Sequence, residues 1–330
     1  MGRAIYVSSV NGDDANSGYA PEKAFRSLRK VNQMEIQPGD QILLERGSVF
    51  IGEYLHLYAG GTKEAPVVVD AYGEGSLPRI ETDGNGIWYQ NYGGHLDNVV
   101  HTWKGYLSSA VLLYDAEYIS IRNLEITNNP CVKNERLNQA DRMNRTGVSV
   151  IAKNHGTLHE IELDHLYIHD VEGNIYDKHL NNGGIYMSVS RPDDEEKTGI
   201  ARYDGIHIHH CKVENCRRWG IAAGYTYQHD KFTTLELPDE VVKTYGSTNV
   251  VIEHNFVKDI GGDGITPMYC FEPLIQYNVS ENIAVDIHPD LYNEEGNRGG
   301  MTAAAIWSSP KTDPQRENSR FVVITTDWRS

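Results

Sequence analysis

The chain has 330 residues, 39% of them hydrophobic, with 31 Gly, 20 Tyr and a formal net charge of −16. That length allows one large domain or two ordinary ones, with ample material for a core. So acidic a surface repels phosphate backbones, which excludes sequence-independent nucleic-acid binding, and no apolar run reaches the roughly 18 residues of a membrane span.

In chain order, "MGRAIYVSSV" carries no apolar signal core. The protein is therefore expected to be cytoplasmic, or secreted with its signal peptide removed. "VNGDDANSG" resembles a calcium loop superficially but lacks the terminal Glu of an EF-hand, and reads as turn chemistry. A helix is predicted over 21–34, with Phe25, Leu28, Val31 and Met34 on one side. "PGD" then turns into the strand "QILLE".

Five later segments align: "YISIRNLEITNN", "EIELDHLYIHDV", "GIHIHHCKVENC", "VVIEHNFVKDI" and "LIQYNVSENI". With Leu124, Leu166, Cys211, Asn255 and Asn278 as the reference column, apolar columns fall three and five residues earlier and two and five later. The last of these holds Asn129, Val171, Cys216, Ile260 and Ile283. This alternation has the period of two expected of short strands. The reference residues are 42, 45, 44 and 23 apart, so one compact repeat recurs with inserted loops. Each segment is followed by a second short strand, headed by Gly147, Gly184, Gly220, Gly264 or, in the last case, Thr302. Such a repeat cannot bury its apolar face alone; stacked copies can, and they build a parallel β-solenoid whose open end needs a cap.

These features, together with "YVSSVNGDDANSG", "AFRSLRKV", "PGDQILL", "GGDGI" and "QYNVSEN", resemble the right-handed parallel β-helix proteins of the pectin-lyase-like superfamily. The resemblance runs to about Trp307. It implies an all-β fold with a short N-terminal capping helix and, as the activity common in that superfamily, action on polysaccharides by hydrolases, lyases or epimerases. Within a single domain, residues 1–50 are then the cap and first strand. Residues 51–307 are the β-helix with its loops, and 308–330 an irregular tail or a truncated end.

The register orients the cluster "IHIHHC". His207 and His209 point outward from the strand. His210 shares a column with Asn123, His165, His254 and Tyr277, whose rings should stack at about 4.8 Å, the strand spacing. Stacked rings lie parallel rather than aiming at one centre, so a ladder is expected in place of a metal site. The four cysteines lack any Cys-x-x-Cys pair and read as free thiols, with Cys211 and Cys216 in the core.

Long loops flank the Gly-headed strand, whose outward residues Ser149, Tyr186, Ala222 and Thr266 suit the floor of a sugar site. Glycoside hydrolysis commonly uses two carboxyl groups, about 5–5.5 Å apart when retaining and about 6.5–9.5 Å when inverting. Asp263 is the first candidate, although a turn aspartate in "GGDG" is its ordinary alternative. Asp286 and Asp177 are its possible partners, with Asp170 in reserve. His179 and Arg218 are candidates to position substrate, and Tyr186, Trp219, Tyr225 and Tyr269 to stack on sugar rings. A glycoside hydrolase acting on plant or host oligosaccharides is therefore expected, with no cofactor. A uronate lyase or epimerase, which could use Ca2+, and a non-catalytic carbohydrate-binding solenoid are the alternatives.

Overall fold

The computed structural model describes residues 2–94, 102–129, 143–174, 180–232 and 237–285, and the backbone of Phe321–Val322. Three sheets run the length of the molecule as a parallel β-helix. One coil takes Arg202–His209 through the first sheet, Lys212–Cys216 through the second and Ile221–Thr226 through the third. The next coil takes Thr248–Glu253, Phe256–Ile260 and Ile265–Pro267. No helix among the described residues is long and apolar enough to cross a membrane.

Each sheet contributes one continuous aliphatic row to the core. On the first sheet, Ile5, Ile42, Val69, Ile121, Leu163, Ile208, Ile252 and Ile275 pair in succession, all fully buried. Phe50, Ile80, Ile126, Ile168, Val213 and Val257 do the same on the second. Leu55, Val111, Val148, Ile185, Ile221 and Ile265 do so on the third. At about 0.8 kcal/mol per buried CH2, these rows are the main source of cohesion.

The corners explain the rest of the repeat. A Cβ on Gly220 would lie 2.4 Å from Gly264 O and 2.6 Å from Val257 Cγ1; one on Gly184 would lie 2.4 Å from Val213 Cγ1. The chain turns into the third sheet so close to the second sheet's inward row that only glycine fits there. At the corner between the first and second sheets, Asn123, His165, His210, His254 and Tyr277 all have φ between 49° and 56°. Asn and His are among the side chains that tolerate this left-handed region best. His165 stacks on His210 at 4.8 Å, His210 on His254 at 5.1 Å and His254 on Tyr277 at 4.9 Å. The expected ladder is present at the expected spacing. Beside it, Asn255 accepts from Cys211 N–H at 2.9 Å and donates to Ile208 O at 2.9 Å, while Asn278 accepts from Asn255 N–H at 2.9 Å.

Two expectations are corrected. The column assigned to Asn129 belongs to Asn128, which pairs with Val171. Asp170, Asn215, Asp259 and Asn282 each add a left-handed bulge residue in the later coils, and the first coil lacks one. The helix predicted over 21–34 is instead a 3-10 turn, Pro21–Lys23, and a short helix, Leu28–Asn32. Phe25 has left the helix to bridge Val7, donating to Tyr6 O at 2.9 Å and accepting from Ser8 N–H at 2.8 Å. An unpaired strand edge competed successfully for its backbone groups. Leu28 and Val31 remain fully buried against the core, so this segment does close the end of the stack. Cys211, Cys216 and Cys270 are buried free thiols; Cys131 lies outside the described residues.

Asn255→Ala would strand the Cys211 N–H and the Ile208 carbonyl in a buried corner. We expect a loss of about 2–4 kcal/mol, read from urea unfolding. Asn278→Ala, at a half-exposed corner, should cost clearly less. Equal losses would show that burial of the asparagine ladder does not set its contribution.

Candidate active site

The third sheet is unlike the other two, because its outer face is also covered. His56, Leu112, Ser149, Tyr186, Ala222 and Thr266 form one outward row in register. Ser149, Tyr186, Ala222 and Thr266 are nevertheless 0% exposed. This corrects the expectation of an open floor. The cover includes the strand Ile87–Asn91, which pairs antiparallel with Lys104–Tyr114. Its Trp88 packs with Leu107, Leu112 and Ile151 and donates to Ser109 Oγ at 2.8 Å. Its Gln90 donates to Asn181 Oδ1 at 3.0 Å and Ser188 Oγ at 3.1 Å, and accepts from Asn181 N–H at 2.8 Å. His56 bridges to Ser109 O at 2.9 Å, and burial lowers its pKa to about 4.

The most unusual chemistry lies at the corner where the second sheet feeds the third. There Thr146 pairs with Gly183, Gly184 N–H donates to Trp219 O at 2.8 Å, and Gly220 N–H donates to Asp263 O at 3.0 Å. Thr146, Gly183, Trp219 and Asp263 thus occupy one position in successive coils. Close backbone contact holds them there: a Cβ on Gly261 would sit 1.7 Å from Arg217 O, and one on Gly262 would sit 2.5 Å from an Arg218 guanidinium nitrogen. Arg218 lies over the Trp219 ring, 4.5 Å from its centroid, and Tyr186 meets that ring edge-on at 6.1 Å. Asn144, Asn181, Asn182, Arg218 and Asp263 are all buried. A buried carboxyl and guanidinium among buried amides are rarely tolerated for stability alone, and mark this corner as the candidate site.

The expected site residues therefore divide. Arg218, Trp219, Asp263 and Tyr186 are brought together. Tyr225 and Tyr269 are not part of that group. They sit at the far end of the same strands in an aromatic cluster, Tyr225 being 5.6 Å from both Tyr92 and Tyr269, and Phe232 being 4.9 Å from Tyr269. All four expected platforms, Tyr186, Trp219, Tyr225 and Tyr269, are buried, so their rings pack against neighbours rather than presenting a free face. Asp177, His179 and Asp286 lie outside the described residues. The reserve, Asp170, is a bulge residue bound by Asn215 and by His169. Buried Asn144, Asn181 and Asn182 were not anticipated, since only three-dimensional cover separates them from ordinary loop asparagines. An exposed aromatic pair, Tyr89 and Tyr106, 5.0 Å apart, was also missed; the alternation of "IWYQN" was its signal.

With the fold and the site defined, comparison with known proteins adds a context. No family model matches the chain. It is 39% identical over 349 aligned positions to a lacto-N-biosidase of Bifidobacterium longum subsp. longum, an alignment that takes in 95% of this chain and 22% of that protein. It is also similar to the crystal structure of a GH136 lacto-N-biosidase from Eubacterium ramulus, with 53% identity and a TM-score of 0.89 over 93% of this chain and 49% of that one. The selenomethionine form of that protein gives 52% identity and the same TM-score. The chain thus spans about half the length of the solved relative and less than a quarter of the curated one.

The covered face carries a pH signature. His56 stays neutral in the fold down to about pH 4, whereas the unfolded ring takes up a proton near its ordinary value of 6.5. The unfolded state then binds more protons, so stability is complete above pH 6.5 and falls between 6.5 and 4, by up to about 3 kcal/mol. His56→Gln should flatten that acid limb in urea unfolding measured across pH; an unchanged slope would exclude His56 as its source.

Proposed function

We propose that this chain is the β-helical part of a glycoside hydrolase acting on host glycan oligosaccharides, with lacto-N-biosidase activity. The observation that carries the reading is the 53% identity to a GH136 lacto-N-biosidase over 93% of this chain. In this reading Asp263 is one of two carboxyl groups on either side of the scissile bond. One protonates the leaving-group oxygen while the other attacks the sugar or activates water. Asp177 and Asp286 are the proposed partners, and His179 positions a substrate hydroxyl. Arg218 orients the carboxyl from beneath Trp219. The ring over its guanidinium, 4.5 Å away, suits such a fixed role better than that of a proton-abstracting base in a lyase. No cofactor takes part.

The natural full-length protein, assayed with a nitrophenyl lacto-N-bioside and with neutral and uronate oligosaccharides, should release sugar without unsaturated products. Asp263→Asn should lower kcat by about 10^2–10^4 with little change in KM or unfolding temperature. Full activity in that variant would remove Asp263 from catalysis. No release from any host-type oligosaccharide would overturn the hydrolase reading.

A further inference from the structure

Among the described residues Trp88 and Trp219 are both buried, and their indole donors differ. Trp88 Nε1–H donates to Ser109 Oγ at 2.8 Å. Trp219 is only 5% exposed, yet its buried Nε1–H has no hydrogen-bond acceptor among the described residues. Buried polar groups in folded proteins are nearly always paired, so an orphan asks for an explanation. An indole is donor-only and, unlike a hydroxyl, has no rotor of its own with which to seek another acceptor.

The ring itself is held in place. Arg218 lies across it, 4.5 Å from the centroid, and Tyr186 meets it at 77° from 6.1 Å. Tyr186 offers the indole no more than a weak π contact. The same guanidinium reaches the turn before Asp263, where a Cβ on Gly262 would lie 2.5 Å from Arg218 Nη1. Trp219 and Asp263 hold one corner position in successive coils. Their backbones are therefore about 4.8 Å apart, close to the width of one sugar ring. The orphan donor stands one rung from the carboxyl assigned to the scissile bond.

We propose, resting on the hydrolase reading above for the class of ligand, that Trp219 is a specificity-determining residue. Its indole N–H donates to an uncharged oxygen on the sugar beside Asp263, either a hydroxyl or an acetamido carbonyl. Ring stacking on that sugar is not its role, because the guanidinium already lies across the ring. A donor-only group beside a guanidinium also disfavours any cationic ligand group. A site built to hydrogen-bond one substrate oxygen rejects the analogue that lacks it, since its own buried donor is then left unpaired. The orphan N–H is thus the mark of a contact that the bound sugar completes.

The test uses the natural full-length protein. It combines kcat/KM on a nitrophenyl lacto-N-bioside with calorimetric titration by free lacto-N-biose, which needs no turnover. Analogues of both carry one hydroxyl removed in turn, or a thiocarbonyl, a weaker acceptor, in place of the acetyl carbonyl. One analogue should lose about 10–100-fold in the wild type. Trp219→Phe, which keeps an aromatic ring beside Arg218 but removes the donor, should lose about as much on the parent sugar and nothing further on that analogue. A merely structural role, or an indole satisfied by internal water alone, would leave the discrimination between parent and analogue unchanged. Circular dichroism establishes that the variant is folded; if it is not, a tryptophan isostere with sulfur in place of the indole nitrogen is introduced at this position instead. Sugar binding with this analogue pattern but no product release would support the contact and refute the hydrolase reading, and release indifferent to Trp219→Phe would do the reverse. Discrimination that persists in Trp219→Phe, or no sugar bound at saturating concentration, would each overturn the contact.

Discussion

Among the described residues, the side chains of the coils take their places from parallel pairing between one coil and the next. The backbone hydrogen bonds hold neighbouring strands at about 4.8 Å, and a residue's partners above and below follow from that ladder. A slip of one position in any coil would turn its aliphatic row outward. The unbroken row from Ile5 to Ile275 shows that no described coil has slipped. The stacked corners depend on the same pairing. The asparagine ladder, the histidine ladder and the glycine column are each one requirement repeated at fixed height: a satisfied carbonyl, a left-handed backbone, an absent Cβ.

Because coils repeat one requirement, much of this was legible before any coordinates. The reference column, the inward rows and the histidine stack follow from alignment within the chain. Legibility failed where a residue's environment came from outside its own repeat. Phe25 has helical spacing with Leu28 and Val31, yet its backbone answers the open edge of the first strand. Asn129 was displaced to Asn128 because a bulge is one residue of length, and alternation alone does not say which coil lacks it. The juxtaposition of Arg218, Trp219 and Asp263 was readable from the glycine-headed strands. Their burial was not, since the repeat pattern carries no record of what packs against that corner.

The two polar corners of the helix differ in kind. At the corner between the second and third sheets, a carboxyl and a guanidinium are buried beside the Trp219 ring, where low polarity strengthens every electrostatic interaction. At the corner between the first and second sheets, the His165 and His210 rings stand half in water beside the more covered Asp164 and His209. The first arrangement suits chemistry on a bound molecule; the second suits holding coils together.

The uneven spacing of the repeats also bears on how such a chain can change over generations. Coils of 42 to 45 residues and one of 23 keep the same register. Closing a loop of doubled length costs only about 0.6 kcal/mol. A whole loop is thus nearly neutral to insert, exchange or lengthen, while a single residue added within a strand would misalign a coil. Diversity in what the helix recognises can accumulate at its corners without endangering the stack that carries them.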